Sequence, residues 1–313
     1  MKYIVKFFIA FSVLFSSVVI AEESVIEAPP KGNLRYTIMV EEFTNEASWS
    51  GGYSIGEGMS TAMTNILNKS GWFVVLAEKE MRNAAMKEQD FATSGRAATG
   101  KKTPQMGRIT TAQLLVKGSI THVQETGSQA GKINFMGVSL GGSGGDAEIN
   151  LTIYLIDTTT GQVVASKDIV GNSGSSGYSI GYSGTDLGGL TGAFGGKNKD
   201  NVQKAVEDAS GQITNYLISQ LENIPWEATV IMSKQGKIII NRGERDGIEV
   251  GKLFNAGEVE DLIDPDTGEL LDSEMSIVGA IEVTKVKKKV AYCKQVEGDG
   301  TISKGMSVFT QDR

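Results

Sequence analysis

The sequence predicts an α/β domain, in which a sheet is flanked by helices, followed by a small all-β domain. Three observations predict this fold class: strands and helices alternate up to about residue 224, a long amphipathic helix ends that part, and short strands with glycine turns fill the remainder. Alternating strands and helices are typical of a sheet covered by helices, whereas closely spaced short strands indicate a small barrel. Within the α/β part, two glycine-rich β-hairpins are further predicted to join an oligomeric transmembrane β-barrel.

The first 21 residues have the pattern of a cleavable signal peptide. Lys2 and Lys6 precede an apolar run over 7–20. Val19 and Ala21 are the small residues at positions −3 and −1 that a signal peptidase recognises. We therefore expect cleavage before Glu22 and export to the periplasm. An N-terminal membrane anchor is the alternative, which the lack of a basic stop-transfer cluster disfavours.

The α/β part is predicted to span residues 22–224. Alternating apolar and polar residues over 36–43 indicate a half-buried strand, and an apolar stripe over 55–69 indicates a helix. The other predicted elements are a strand over 72–76, a helix over 77–89, a short helix leading into a strand that ends near 125, a strand over 147–156 with a hairpin turn at Asp157–Gly161, and a helix over about 200–223. Pro225 prevents this last helix from continuing.

Residues 225–313 are predicted to form the small barrel-like domain. Strand-like runs alternate here with turns that contain glycine. The single cysteine, Cys293, lies in one of these runs and is expected to be a buried, small apolar residue.

Composition and motifs argue against an enzyme. The net charge of −7 and the pI near 5.0 disfavour non-specific binding to nucleic acid. A lone histidine, His122, and a lone cysteine supply no zinc ligand set, and DPDTGE (264–269) lacks the ligand spacing of a calcium loop, so we interpret it as a turn. With no paired acid, base or nucleophile, we expect no catalytic residues, no metal and no cofactor.

Two glycine-rich segments have the pattern of membrane hairpins, at about 129–150 and 166–197. In the first, strands over 129–140 and 146–155 flank a turn at 141–145; in the second, the turn is predicted within 184–189. Strands of about ten residues with one apolar face suit a tilted membrane strand. The apolar side chains that would form the barrel are Phe135, Met136, Val138, Leu140, Tyr178, Ile180, Tyr182, Leu190 and Phe194.

Insertion of these hairpins requires several copies of the chain. Four strands leave open sheet edges, whose unpaired N–H and C=O groups are unfavourable in hydrocarbon, and the smallest closed barrels need about eight strands. The hairpin interpretation therefore implies a homo-oligomeric ring around a water-filled pore. The alternative is that both segments are mobile loops on a soluble periplasmic domain.

Several stretches resemble the curli secretion channel family, CsgG and its holdfast-anchoring relatives. They are MSTAMTNILNKSGWFVVLAEKEMRNAAMKEQ, TTAQLLVKGSITHVQET and INLTIYLIDTTTGQVVASKDI, and the similarity runs in order through residues 34–222. The resemblance implies an outer-membrane ring in which each protomer gives two hairpins to one barrel above periplasmic domains. It also implies export of unfolded amyloid subunits by diffusion, without ATP.

The sequence departs from that family in two places. The region VVIAEE has no lipobox cysteine, so no lipid anchor is expected. The family narrows its channel with a loop after the first strand, and here the corresponding loop, 45–58, is shorter. By this resemblance Trp49, Tyr53 and Asn45 are candidates for the channel constriction; packing of Trp49 against its own domain is the alternative.

The C-terminal stretch INRGERDGIEVGKLFNA resembles the C-terminal β domain of flagellar assembly protein T. The expected protein is thus an outer-membrane secretion channel for curli-like or adhesive fibre subunits, whose partners are its own copies and an exported fibre subunit or accessory assembly protein. A soluble periplasmic scaffold that acts through protein–protein contacts is the alternative.

Overall fold

The computed structural model describes residues 24–51, 53–125, 146–174 and 201–311, together with short strands at 134–135, 138–139, 178–180 and 185–186. The predicted signal peptide, 1–21, lies outside these residues. Both the α/β part and the small all-β domain of the prediction are present in the described chain.

The α/β part is built on one mixed sheet. Its strands follow the order β2-β1-β3-β4-β5, where β1 is parallel to β2 and β3, and β3, β4 and β5 are antiparallel neighbours. Their bounds are β1 Tyr36–Val40, β2 Phe73–Val75, β3 Leu114–Glu125, β4 Ala147–Asp157 and β5 Val163–Asn172. A two-residue strand, Thr44–Asn45, runs parallel to β3.

Two helices cover one face of this sheet. Alternate residues of β4, from Ala147 to Leu155, are buried beneath α3, which is why this strand alternates apolar and polar residues. Helix α1 begins after Ser54, whose hydroxyl accepts from the backbone N–H of Glu57, and ends at Gly71 in the left-handed conformation. The helices are α1 Ile55–Ser70, α2 Lys79–Thr93 and α3 Asn201–Gln220, with a 3-10 turn at Leu221–Asn223.

One local prediction in this part is wrong. Residues 111–113 form no helix before β3, because Gln113 is held in an extended arrangement beside β1. Its backbone N–H donates to the Thr37 carbonyl, and its side-chain oxygen accepts from the Thr37 N–H at 3.0 Å. These pairings extend the parallel contact between β1 and β3 by one residue.

The C-terminal part is a closed six-stranded barrel in the order β6-β7-β10-β9-β8-β11. Its strands are β6 Glu227–Lys234, β7 Lys237–Ile240, β8 Leu253–Ile263, β9 Leu270–Lys287, β10 Val290–Glu297 and β11 Ser307–Phe309. Cys293 is buried in β10, as predicted, and burial raises the pKa of its thiol to about 12.

The barrel packs against the end of the sheet where β1 begins. The Tyr36 hydroxyl donates to the Ile224 carbonyl at 2.5 Å, and the Arg35 N–H donates to the Asp246 carbonyl at 3.0 Å. The Lys252 ammonium donates to the Gly32 carbonyl at 2.6 Å, and burial lowers the pKa of this lysine. The buried apolar residues of the two parts form one continuous cluster.

The predicted pairing of the first hairpin is wrong. Strand 147–157 pairs with β3 and β5, with Glu125 opposite Ala147, instead of pairing with residues 129–140. The apolar face of β4 packs on α3, so the alternation that suggested a membrane strand belongs to the domain core. Residues 134–135 pair antiparallel with 138–139, and the predicted turn at 141–145 lies outside the described residues.

The predicted turn of the second hairpin is also displaced. Ile180 pairs with Thr185, which places the reversal between these residues and ahead of most of 184–189. Strand 178–180 additionally runs parallel to 24–26, with Tyr178 opposite Ser24 and Ile180 opposite Ile26. Because Ile26 is fully buried in the domain core, this pairing holds the backbone of 178–180 beside the α/β part.

Candidate functional site

The two predicted hairpin segments and the loop with the constriction candidates lie towards one end of the sheet. Strands β3 and β5 end there, and β4 and α3 begin there, because β4 is antiparallel to both of its neighbours. Segments 126–145 and 175–200 therefore leave and rejoin the described fold at this end. The loop from β1 to α1 also lies there, since β1 is parallel to β3. We call this the hairpin end of the sheet.

The loop from β1 to α1 is fastened to β3 along its first half. Phe43 is buried, and its ring occupies the space over Gly118, where a Cβ atom would overlap it. Thr44 and Asn45 then pair with Ser119 and Ile120. The N–H groups of Glu46 and Ala47 both donate to the Ile120 carbonyl at 2.9 Å, so the loop follows β3 towards the hairpin end.

The structure brings the three constriction candidates together in this loop. The Asn45 side-chain amide donates to the Trp49 carbonyl at 2.9 Å. The rings of Trp49 and Tyr53 lie 4.9 Å apart with an interplanar angle of 57°, a tilted arrangement that aromatic pairs favour. The loop turns at Ser48, which has a φ of 53°, and the Trp49 ring lies over Gly51, where a Cβ atom would overlap it. Asn45, Trp49 and Tyr53 thus form one local cluster.

This cluster faces both the protein and the solvent. Trp49 is half-buried and packs against the hydrophobic core of its own domain, and Tyr53 is half-buried beside it. Asn45 is exposed. Each side chain therefore keeps some exposed surface, while the loop is held to β3 by the N–H groups of Glu46 and Ala47.

The bases of the two predicted hairpins are held by hydrogen bonds and close packing. Ser173 and Ala147 exchange hydrogen bonds, through the Ser173 hydroxyl at 2.8 Å and the Ala147 carbonyl at 2.9 Å. The Asp208 carboxylate of α3 accepts from the Asn172 N–H at 2.9 Å. Gly171 lets α3 approach β5, because a Cβ atom at this position would overlap the Ala205 carbonyl.

The predicted barrel residues are only partly within the described chain. Phe135 and Val138 pair across the short 134–139 turn, and Tyr178 and Ile180 lie in the strand beside 24–26. Met136, Leu140, Tyr182, Leu190 and Phe194 lie outside the described residues.

The sequence analysis missed the anchor of the loop, Phe43 and Gly118. A glycine inside a buried strand often marks a close approach by another group, and Gly118 follows Leu114 and Val116 on the buried face of β3. That glycine was therefore the available signal, although it does not identify Phe43 as the group that approaches it.

His122 and the possible metal ligands are the remaining candidates that the sequence analysis considered. His122 is an exposed residue of β3, next to a bulge in its pairing with β4. Among the residues that the structure describes, no group of His, Cys, Asp and Glu side chains is placed to hold a metal ion. None of the described helices is long and apolar enough to cross a membrane.

Comparison with solved structures finds matches at low sequence identity and low TM-score. Protein XCC0632 from Xanthomonas campestris is 11% identical, with 65% of this chain and 96% of that chain covered and a TM-score of 0.35. The PelC dodecamer from Paraburkholderia phytofirmans is 14% identical, with coverage of 44% and 72% and a TM-score of 0.26. The LpoB C-terminal domain from Escherichia coli is 14% identical, with coverage of 44% and 83% and a TM-score of 0.26. No curated protein sequence matches the chain.

A family described as "curli production assembly/transport component CsgG" matches residues 21–248. The match is wider than the stretch 34–222 that carried the resemblance, and it reaches β6 and β7 of the barrel. The likeness of the C-terminal domain to flagellar assembly protein T stays a prediction. Since the family match covers more than half of the 313 residues, the chain belongs to the CsgG family of curli production assembly and transport components.

Proposed function

We propose that the protein is an oligomeric outer-membrane secretion channel that exports curli-like or adhesive fibre subunits by diffusion. Its α/β domain and small barrel lie in the periplasm, and segments from several copies close one transmembrane barrel. Membership of the CsgG family supports a role in curli-type transport or assembly.

The observation that carries this proposal is the arrangement at the hairpin end of the sheet. The cluster of Asn45, Trp49 and Tyr53 lies on the same end as the bases of segments 126–145 and 175–200. In a ring, every copy would present this cluster where the periplasmic domain meets the transmembrane barrel. The aromatic and amide groups would then form a narrow band around the exported chain.

The chemistry required of such a channel is weak binding. An unfolded chain passes by diffusion only when no position of the wall holds it tightly, and glycine and serine between the apolar residues of 166–197 provide such a wall. We therefore assign no catalytic step and no nucleotide to the transport itself.

Conductance in planar lipid tests the proposal. The purified wild-type protein should form channels, and the double change Trp49→Ala and Tyr53→Ala should raise the single-channel conductance because two rings per copy leave the constriction. Tyr154→Ala is the matched control, since Tyr154 is a partly exposed tyrosine on the open face of the sheet, and it should leave conductance unchanged. Absence of channels from a detergent-stable oligomer would contradict the proposal.

One observation favours the alternative, a soluble periplasmic scaffold. The pairing of 178–180 with 24–26 keeps that part of the second segment beside the α/β domain. Limited proteolysis of membrane-extracted protein separates the two functions. Cleavage within 171–196 favours the scaffold, whereas protection together with heat-sensitive oligomers in the outer-membrane fraction favours the channel.

A further inference from the structure

The C-terminal barrel carries an acidic arm at one end of its longest strand. Beyond Gly257, residues 258–277 of β8 and β9 pair only with each other, whereas the neighbouring parts of both strands also pair with other barrel strands. We call residues 258–277 the acidic arm, because it contains no lysine or arginine. Its acidic residues are Glu258, Glu260, Asp261, Asp264, Asp266, Glu269, Asp272 and Glu274.

The arm has no internal compensation for this charge. Glu260 lies directly opposite Glu274 in the ladder, and like charges in that position destabilise a sheet. None of the acidic side chains of the arm forms a salt bridge with a described residue. Large aliphatic side chains are also exposed along it: Leu262 at 45%, Ile263 at 57%, Leu271 at 63% and Ile277 at 57%.

The other end of the same strand is basic. Strand β9 ends at Lys287, and a two-residue turn of Lys288 and Lys289 leads into β10. With Lys285, these residues form what we call the basic turn, residues 285–289, which contains no acidic residue. The ammonium groups of Lys285 and Lys287 lie 5.8 and 5.5 Å from the Tyr292 ring, and no lysine of the basic turn forms a salt bridge with a described residue.

The arm and the turn cannot meet within one chain. They stand at opposite ends of β9, where eight positions separate Ile277 from Lys285, or roughly 26 Å at about 3.3 Å per residue. Val259 and Leu270 of the arm line a cleft of about 450 Å³ together with Thr159, in the turn between β4 and β5. The basic turn packs on Gly243, and the backbone N–H of Arg245 donates to the Lys288 carbonyl at 3.2 Å. The loop that contains these two residues contacts β2.

The acidic arm therefore lies below the part of the sheet between β1 and the β4–β5 turn, whereas the loop beside the basic turn contacts the edge strand β2. A copy placed beside the first in the same orientation therefore brings its basic turn next to the acidic arm of its neighbour. A contact between two different surfaces of the same protein forms a ring when the rotation between neighbouring copies closes, and an open filament when it does not.

We propose that the acidic arm of one copy docks on the basic turn of the next copy, so that the C-terminal barrels form a head-to-tail ring. The exposed aliphatic residues of the arm bury apolar area in this contact, and the charges set its direction. The inference goes beyond the proposed function, since the contact does not require that the chain crosses a membrane.

Cysteine cross-linking of the full-length protein tests the contact. Cys293 can remain, because it is buried and its raised pKa keeps the thiol protonated. Glu260→Cys and Lys288→Cys should each give no cross-linked dimer alone, a dimer when the two proteins are mixed, and a ladder of oligomers when both changes are in one chain. Absence of the ladder, or a dimer from either single variant, would overturn the proposal.

Charge exchange tests the chemistry of the contact. Changing Lys287, Lys288 and Lys289 to Glu should raise the dissociation constant of the oligomer in sedimentation by about tenfold, if each exposed pair gives roughly 0.5 kcal/mol. Additional changes of Glu258, Glu260 and Glu274 to Lys should restore association. The matched control changes Lys234 and Lys237 to Glu. These are two exposed lysines beside another turn of the barrel, and their charge reversal should leave the dissociation constant of the oligomer unchanged. Equal loss in the control, or failure of the exchange to restore association, would contradict the contact.

The cross-linking experiment and the conductance experiment can succeed or fail independently of each other. A cross-linked ladder from protein that gives no conductance contradicts the channel and leaves the head-to-tail contact intact. Conductance from protein that gives no cross-linked ladder contradicts the head-to-tail contact and leaves the proposed channel intact.

Discussion

At the scale of single residues, the contact of Phe43 with Gly118 determines where the loop with the constriction candidates lies. The Phe43 ring fills the space that any side chain at position 118 would need. Every later hydrogen bond of the loop to Ser119 and Ile120 depends on this register. The position of Trp49 and Tyr53 at the hairpin end therefore follows from a glycine in the neighbouring strand.

Gly118→Ala should lower the free energy of unfolding by about 1–3 kcal/mol, because the added methyl group overpacks against the Phe43 ring. Urea unfolding followed by far-UV circular dichroism measures this change. Gly174→Ala is the control, since no atom lies within 4 Å of a Cβ atom there, and it should stay within about 0.5 kcal/mol of wild type. Equal stabilities of the two variants would contradict the overlap.

The buried thiol of Cys293 predicts a pH dependence. Its pKa is raised from 9.0 to about 12 in the folded protein, whereas the unfolded chain releases the proton near the ordinary value. The stability that this group contributes is therefore complete below pH 9.0 and is lost as the pH rises towards about 12. The difference in unfolding free energy between wild type and Cys293→Ala should shrink across this window in urea titrations. A difference that stays constant with pH would count against the buried thiol.

At the scale of elements, the same six-residue turn occurs in both parts of the molecule. Asp157 accepts from the N–H groups of Thr159 and Thr160, and Asp264 accepts in the same way from Asp266 and Thr267. Gly161 and Gly268 occupy equivalent left-handed positions, with φ of 73° and 74°. The backbone bonds to Asp266 and then Thr267 lower the pKa of Asp264. The sequence DTTTGQ and the sequence DPDTGE are thus two forms of one hairpin turn.

Replacing DPDTGE by DTTTGQ, through Pro265→Thr, Asp266→Thr and Glu269→Gln, should leave the fold and its melting temperature unchanged. It removes two charges from the acidic arm without changing the conformation of the turn, so it should weaken the salt dependence of association. Asp264→Ala is the contrasting variant, because it removes the acceptor of two N–H groups and should lower the melting temperature. A large loss of stability in the exchanged turn would show that the two turns are not equivalent.

The sequence predicted the elements better than their partners. Helix 55–69, the helix at about 200–223 and the turn at Asp157–Gly161 were predicted from spacing and turn residues, and the structure confirms them. The pairing of 129–140 with 146–155 was wrong because an alternating strand has the same pattern whether its apolar face meets lipid or helices. Neither the periodicity of apolar residues nor the turn residues indicate which strand lies beside another.

At the scale of the whole molecule, the α/β part and the barrel share one hydrophobic core. The bonds that join them connect residues far apart in sequence, such as Lys252 with Gly32 and Arg35 with Asp246. No local pattern could have predicted these contacts. Likewise, the cluster of Asn45, Trp49 and Tyr53 followed from the family resemblance, whereas its location depends on the path of the loop along β3.

A shared core predicts that the two parts unfold together. Calorimetry of the full chain should show one transition, and Tyr36→Phe should lower the stability of both parts by about 1 kcal/mol because the hydrogen bond to Ile224 is lost. Tyr154→Phe changes a partly exposed hydroxyl on the sheet and serves as the control. Two separate transitions, with only one affected by Tyr36→Phe, would contradict this coupling.

The pairing of Glu125 with Ala147 has a consequence for how such a protein varies. The segment between these residues starts and finishes on adjacent strands, about 4.8 Å apart, whatever its length. Doubling the length of a connection between two fixed ends adds only about 0.6 kcal/mol of closure entropy. Insertions and deletions between 126 and 145 should therefore cost the flanking strands little stability, so that related chains can differ in length here while the sheet keeps its pairing.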